Sequence, residues 1–170
     1  SVLGVKTLAD NQAVAAQADI LVLAVKPQVL GEVAAALASA VQKKKPLVVS
    51  IAAGVRLEDL DRWLGGGLPI VRAMPNTAAL IGSGASGLHA NERVSEAMRN
   101  QAESILRAVG VTVWLADESL MDVVTALSGS GPAYSRHGWM RACSGAAPST
   151  TRSGCRRSTP SGLSTPRTVS

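Results

Sequence analysis

Four short segments of this chain carry residue types suited to holding a flat, polar ligand. Ala24-Val25-Lys26-Pro27 follows an apolar run, as do Ile51-Ala52-Ala53-Gly54 and Met74-Pro75-Asn76-Thr77, while Thr125 opens a stretch rich in Ser and Gly that runs to Tyr134. Small residues where a strand ends let a ligand approach the backbone closely, although a plain tight turn needs Gly54 alone, and both readings stay open. Pro75-Asn76 taken singly is a turn signal. The sequence shows no Cys/His cluster with metal-ligand spacing and no Ser-His-Asp set, so no catalytic residue and no metal ligand is assigned. No Gly-x-Gly-x-x-Gly opens a first strand-helix unit either.

The elements that must position these segments follow from apolar spacing. Residues 20–25 lack the alternation of a half-solvated strand, which predicts a strand covered on both faces, as in parallel sheets. Pro27 ends it, because proline has no N–H for a ladder yet fits the first turn of a helix, and a helix is predicted over 28–40. Lys43-Lys44-Lys45 reads as its solvated end. Further strands are predicted over 47–51, 69–73 and 111–115, with an irregular one over 81–89. Further helices are predicted over 56–64, from an Asn91 cap to 109, and over 117–127. Trp63 is assigned to the core and His89 to a strand end. A short β-like run covers 5–8, and Asp10 or Asn11 caps an alanine-rich segment; at Asn11 capping outweighs a ligand contact. Strands alternating with helices across short loops give a predominantly parallel α/β sheet, and such sheets bind ligands outside the carboxyl ends of their strands.

Composition bounds the function. A chain of 170 residues, 46% hydrophobic with mean hydropathy +0.20, can bury one core of ordinary size. Its apolar runs are strand-length, which excludes a transmembrane helix, and no signal peptide opens it. The net charge of +5 is not spread evenly: residues 1–134 carry −1, and residues 135–170 carry +6 from six Arg with no acid. That tail is rich in Ser, Thr, Gly and Pro, holds both cysteines, and is expected to be disordered. With the basicity confined there, nucleic-acid and membrane partners are not expected, and the cysteine-free body fits a reducing compartment.

The ordered set Ala24-Val25-Lys26-Pro27-Gln28, Ser50-Ile51-Ala52-Ala53-Gly54, Arg72-Ala73-Met74-Pro75-Asn76-Thr77-Ala78 and Thr125-Ala126-Leu127-Ser128-Gly129-Ser130-Gly131-Pro132-Ala133-Tyr134 closely resembles the pyrroline-5-carboxylate reductase family. The resemblance covers residues 1–134. It implies a partial Rossmann-like dinucleotide-binding domain over 1–127, the start of a helical dimerisation and substrate domain at 128–134, and a tail over 135–170 foreign to the family. It also implies reduction of 1-pyrroline-5-carboxylate to L-proline with NADP(H) or NAD(H), in the cytoplasm, by a homo-oligomer. By similarity, Asn11 contacts the adenosine ribose, Ala24, Val25, Lys26 and Pro27 line the cofactor, and Ile51, Ala52 and Ala53 lie near the nicotinamide, with Glu118 a weaker cofactor candidate. Met74, Pro75, Asn76, Thr77, Thr125, Ser128 and Ser130 would border the reacting end.

Two departures from the family stand out. Its first βαβ unit, with the glycine-rich loop, is absent here, and residues 135–170 do not resemble its helical domain; the abrupt onset of the tail suggests an out-of-frame read. A dehydrogenase of the β-hydroxyacid type and a non-catalytic nucleotide-binding fragment are the alternatives. The 170-residue chain is therefore expected to be inactive, since orientation of the imine, worth up to ~7–11 kcal/mol, would be largely lost. Following nicotinamide absorbance with NADPH and the imine checks this. Turnover above the uncatalysed rate, abolished by substituting Lys26 or Ala53, would overturn it.

Overall fold

The computed structural model describes residues 4–130, with the backbone alone for 128–130. The Gly131-Pro132-Ala133-Tyr134 motif and the basic tail lie outside the described residues. In chain order come α1 (Asn11–Gln17), β1 (Ile20–Leu23), α2 (Pro27–Lys44), β2 (Leu47–Ser50), α3 (Leu57–Trp63), β3 (Ile70–Met74), a 3₁₀ turn (Thr77–Ile81), β4 (Gly84–Ala90), α4 (Glu96–Arg107), β5 (Gly110–Trp114), α5 (Leu120–Val124) and a π-helical turn (Thr125–Ser130). The strands form one sheet in the order β1-β2-β3-β4-β5, and three of its four pairings are parallel. This is the Rossmann-like α/β arrangement the sequence predicts. The exception is β4, which runs antiparallel to β3 with Met74 opposite Gly87.

Two apolar layers hold the sheet. On one face Leu21, Leu23, Val48 and Ile70 pack against Leu30, Ala34, Leu37 and Val41 of α2 and against Leu60 of α3. On the other, Leu47, Val49, Val71, Ala73 and Leu88 pack against Ala102 and Leu106 of α4. Strands β2 and β3 are therefore buried on both sides, with Arg72 the one charge in them, whereas β1, expected to be covered on both faces over 20–25, ends at Leu23 and stands at the sheet edge with Val22 43% exposed. Trp63 packs against the first layer, as expected of it, and a Cβ at Gly31 would sit 3.4 Å from its ring. Among the described residues no helix is long and apolar enough to cross a membrane.

Several local expectations change. Residues 5–8 form no strand; Val5 and Leu8 are exposed, so no burial offsets the cost of ordering them as one. Asp10, not Asn11, caps α1, its carboxylate accepting from the Gln12 amide at 2.9 Å. Asn91 does not cap α4 either: Ser95 does, accepting from the Met98 amide. Asn91 instead accepts from Ile70 N–H (3.2 Å) and donates to Leu68 O (2.8 Å), tying the entry of β3 to the exit of β4. Helix α2 runs past 40 to Lys44, with Pro27 in its first turn and Lys45 closing it in the left-handed region. The segment expected as one helix over 117–127 is shorter and changes pitch at Thr125. Gly110, at φ +155°, passes so close to Gly84 that a Cβ there would lie 2.0 Å from the Gly84 carbonyl.

Two predictions follow from these contacts. Asp10→Ala lowers stability to urea by about 1 kcal/mol, the usual worth of an N-cap, and Asn11→Ala by much less. Glu103 links α4 to β5, accepting from Trp114 Nε1 and Thr112 Oγ1, both at 3.0 Å. These bonds, Trp114's first, together with Arg107, hold its carboxyl below the ordinary value of 4.5. Its contribution to stability is thus present above that value and disappears as pH falls through the lower folded-state one. The melting-temperature gap between the native chain and Glu103→Gln should be full at neutral pH and close in acid.

Candidate functional site

Parallel pairing of β1, β2 and β3 brings their carboxyl ends to one edge, with Leu23 beside Ser50 and Ser50 beside Arg72 in the register. At each end the chain steps from buried to open within a residue. Leu23, Ser50 and Ala73 are buried; Ala24 is exposed, and Ile51 and Met74 are half-buried. The Ile51 amide donates to Leu23 O at 3.2 Å, holding the second strand end against the first. Ser50 Oγ accepts from the Ala52 amide at 3.4 Å, and Gly54 turns the chain at φ +74° with open space where a Cβ would stand. Lys26 is exposed at the N-cap position of α2, and Pro27 occupies its first turn.

Asn11 joins this edge from α1: with Ala24, Val25, Val14 and Val33 it lines one cleft of about 130 Å³. At the third strand end, Asn76 Oδ1 accepts from the Ala85 amide at 3.1 Å, so its side chain fastens β4 while Pro75 and Asn76 stay half-buried and Thr77 is exposed. The π-helical turn continues from α5, which packs on β4. A Cβ at Gly87 would lie 3.2 Å from Val124, and Gly87 is paired with Met74, so Thr125 begins at the level of the third strand end. Thr125 Oγ1 donates back to Met121 O at 2.8 Å. Ser128 and Ser130 follow in the same turn; their side chains lie outside the description.

Glu118 has a different setting. Its Oε1 accepts from the Leu57 amide at the start of α3 (2.7 Å) and from Arg72 Nη1 (2.5 Å). Arg72 is only 5% exposed, and its Nε finds no partner among the described residues. Arg56, Arg72, Asp117, Glu118, Ser119 and Asp122 line a cleft of about 270 Å³ there. Asp117 is held below the usual carboxylate range by hydrogen bonds from Ser119, with a smaller effect from His89. His89, assigned only to a strand end, faces Leu115 O at 3.0 Å through Nδ1. The role of Arg72 was missed by sequence reasoning. Its signal was available: a lone charge inside the apolar strand Ile-Val-Arg-Ala-Met needs a buried partner.

A sheet of this topology, with three parallel strand ends opening at one edge, defines a Rossmann-like α/β domain. Residues 2–54 match the family described as NADP oxidoreductase coenzyme F420-dependent. The wider relatives are more particular. The pyrroline-5-carboxylate reductase of Pseudomonas aeruginosa is 54% identical over 124 residues, 73% of this chain and 45% of its own. A pyrroline-5-carboxylate reductase structure from Coxiella burnetii superposes with TM-score 0.78 at 44% identity, covering 86% of this chain and 54% of its own. A Plasmodium falciparum pyrroline carboxylate reductase, solved with NADP bound, gives TM-score 0.72 at 30% identity, covering 84% and 54%. Over these matched residues the chain is homologous to the pyrroline-5-carboxylate reductases, and it spans about half the length of the relatives it matches.

Proposed function

We propose that this chain is the dinucleotide-binding part of a cytoplasmic pyrroline-5-carboxylate reductase, an oxidoreductase of proline biosynthesis that works as a homo-oligomer. The observation that carries the reading is the meeting, at one sheet edge, of three segments on which the resemblance rests, those following β1, β2 and β3. NADP(H) is the first choice of cofactor, NAD(H) the second. The edge suits a flat ring and ribose: Ala24, Ala52, Ala53 and Gly54 present little side chain, and no Cβ crowds Gly54. When bound, the nicotinamide supplies the hydride.

The chain's own residues bind and orient. Asn11, Ala24, Val25, Lys26 and Pro27 would hold the dinucleotide along the ends of α1 and β1, with Ile51, Ala52 and Ala53 beneath the ring. Met74, Pro75, Asn76 and Thr77, together with Thr125, Ser128 and Ser130, would enclose the imine, restrict water and fix which face of its carbon meets the ring. Near-attack placement is the main source of rate, because the reactants need little further activation once protonated imine and reduced ring are held together.

The test is a chimera in which residues 5–130 replace the corresponding segment of the Pseudomonas aeruginosa relative. It should reduce 1-pyrroline-5-carboxylate with NADPH, and a folded chimera without turnover would sink the proposal. In that chimera Ala53→Trp should raise the KM for NADPH by filling the space at the strand end. An unchanged KM with normal folding removes Ala53 from the site.

A further inference from the structure

The charged pair beneath the sheet face is not used in the function proposed above. Arg72 projects from β3 with its guanidinium buried, and its one ion-pair partner among the described residues is Glu118. The same carboxylate oxygen takes the Leu57 amide, so one atom joins β3, the start of α3 and the approach to α5. Met121, two residues beyond Ser119, is buried at 1% exposure, and Val124 lies over Gly87 opposite Met74. From Glu118 the chain therefore reaches the level of the carboxyl end of β3 within a few residues. There it changes to π-helical pitch, a distortion that recurs at functional sites.

We propose that Glu118 is a positioning residue, whose bonds to Arg72 and Leu57 set where the segment leading into Thr125–Ser130 lies beside the carboxyl end of β3. The inference rests on the function proposed above for its catalytic consequence, but not for its structural one. A contact between Glu118 and the dinucleotide is the competing role. A buried guanidinium that loses its carboxylate is left uncompensated, so truncation to Ala risks unfolding. Glu118→Gln keeps the shape and an acceptor for Leu57 while removing the charge that fixes Arg72.

In the 170-residue chain, hydrogen exchange read by mass spectrometry should show Glu118→Gln speeding the amides of 120–127 by about tenfold or more, with 47–50 and 70–74 unchanged. Acceleration everywhere, or nowhere, overturns the proposal. In the chimera, Glu118→Gln should lower kcat on the order of 10- to 100-fold with little change in the KM for NADPH. A raised KM with kcat intact overturns it in favour of a cofactor contact. The apolar pair Arg72→Met with Glu118→Leu should restore the melting temperature without restoring kcat, and recovery of both would reduce the pair to a purely structural role, against the proposal. A parent chimera without turnover would count against the proposed function alone, since the exchange experiment still decides the positioning role.

Discussion

A guanidinium in the middle of a sheet has to be met by an anion, and that requirement organises this molecule. Arg72 stands on the central strand between Ser50 and His89 in the register, with only 5% of its surface left to water. Glu118, 46 residues further on, supplies the charge, and through the Leu57 amide, 61 residues back from it, closes the chain on itself. Bringing such distant groups together is entropically costly, and a buried ion pair offsets that cost poorly unless its hydrogen bonds are made. Here one oxygen makes two. The pair is better understood as specifying which segment lies over β3 than as a large net source of stability.

The same economy of side chains fixes both ends of the β3–β4 hairpin-like pair. Asn91 bridges Leu68 and Ile70 where β3 begins, and Asn76 holds Ala85 where it ends. Because β4 returns antiparallel, Gly87 comes to stand opposite Met74, and a Cβ there would press on Val124 at 3.2 Å. A reversal in strand direction is thereby turned into an approach path. The π-helical turn thus begins beside the carboxyl end of β3, although it lies far from that strand in sequence.

What was legible in the sequence was local or periodic. The run from Ile20 through Pro27 into α2 shows its strand, break and helix in adjacent residues, but its missing alternation misled about burial, since β1 lies at the sheet edge with Val22 exposed while β2 is covered on both faces. Asn91 misled because Asn is a good N-cap by type, while its actual role depends on β3, some 20 residues earlier. The antiparallel β4 had a signal that composition obscured: fewer than a dozen residues separate Met74 from Gly84, too few for a parallel crossover. The Arg72–Glu118 pair left only half a signal, a charge in an apolar strand, since nothing in the sequence selects its partner among the chain's acids. At the candidate site, the strand ends were visible as motifs, but the cleft joining Asn11 to Ala24 and Val25 depends on how α1 packs against α2.

That packing also explains why the edge can bind rather than merely end. Leu23 and Ala73 are 4% and 2% exposed, whereas the residues directly after them are open to solvent in whole or part. A buried strand has its backbone fixed by ladder bonds and by side chains locked on both faces, so the next residue inherits its position without needing contacts of its own. Ala24, Ile51 and Met74 are thus held by what precedes them and remain free to face a ligand. Burial on both faces holds for β2 and β3, whereas β1 is an edge strand with Val22 43% exposed, and at its end the short side chain of Ala24 keeps the edge open.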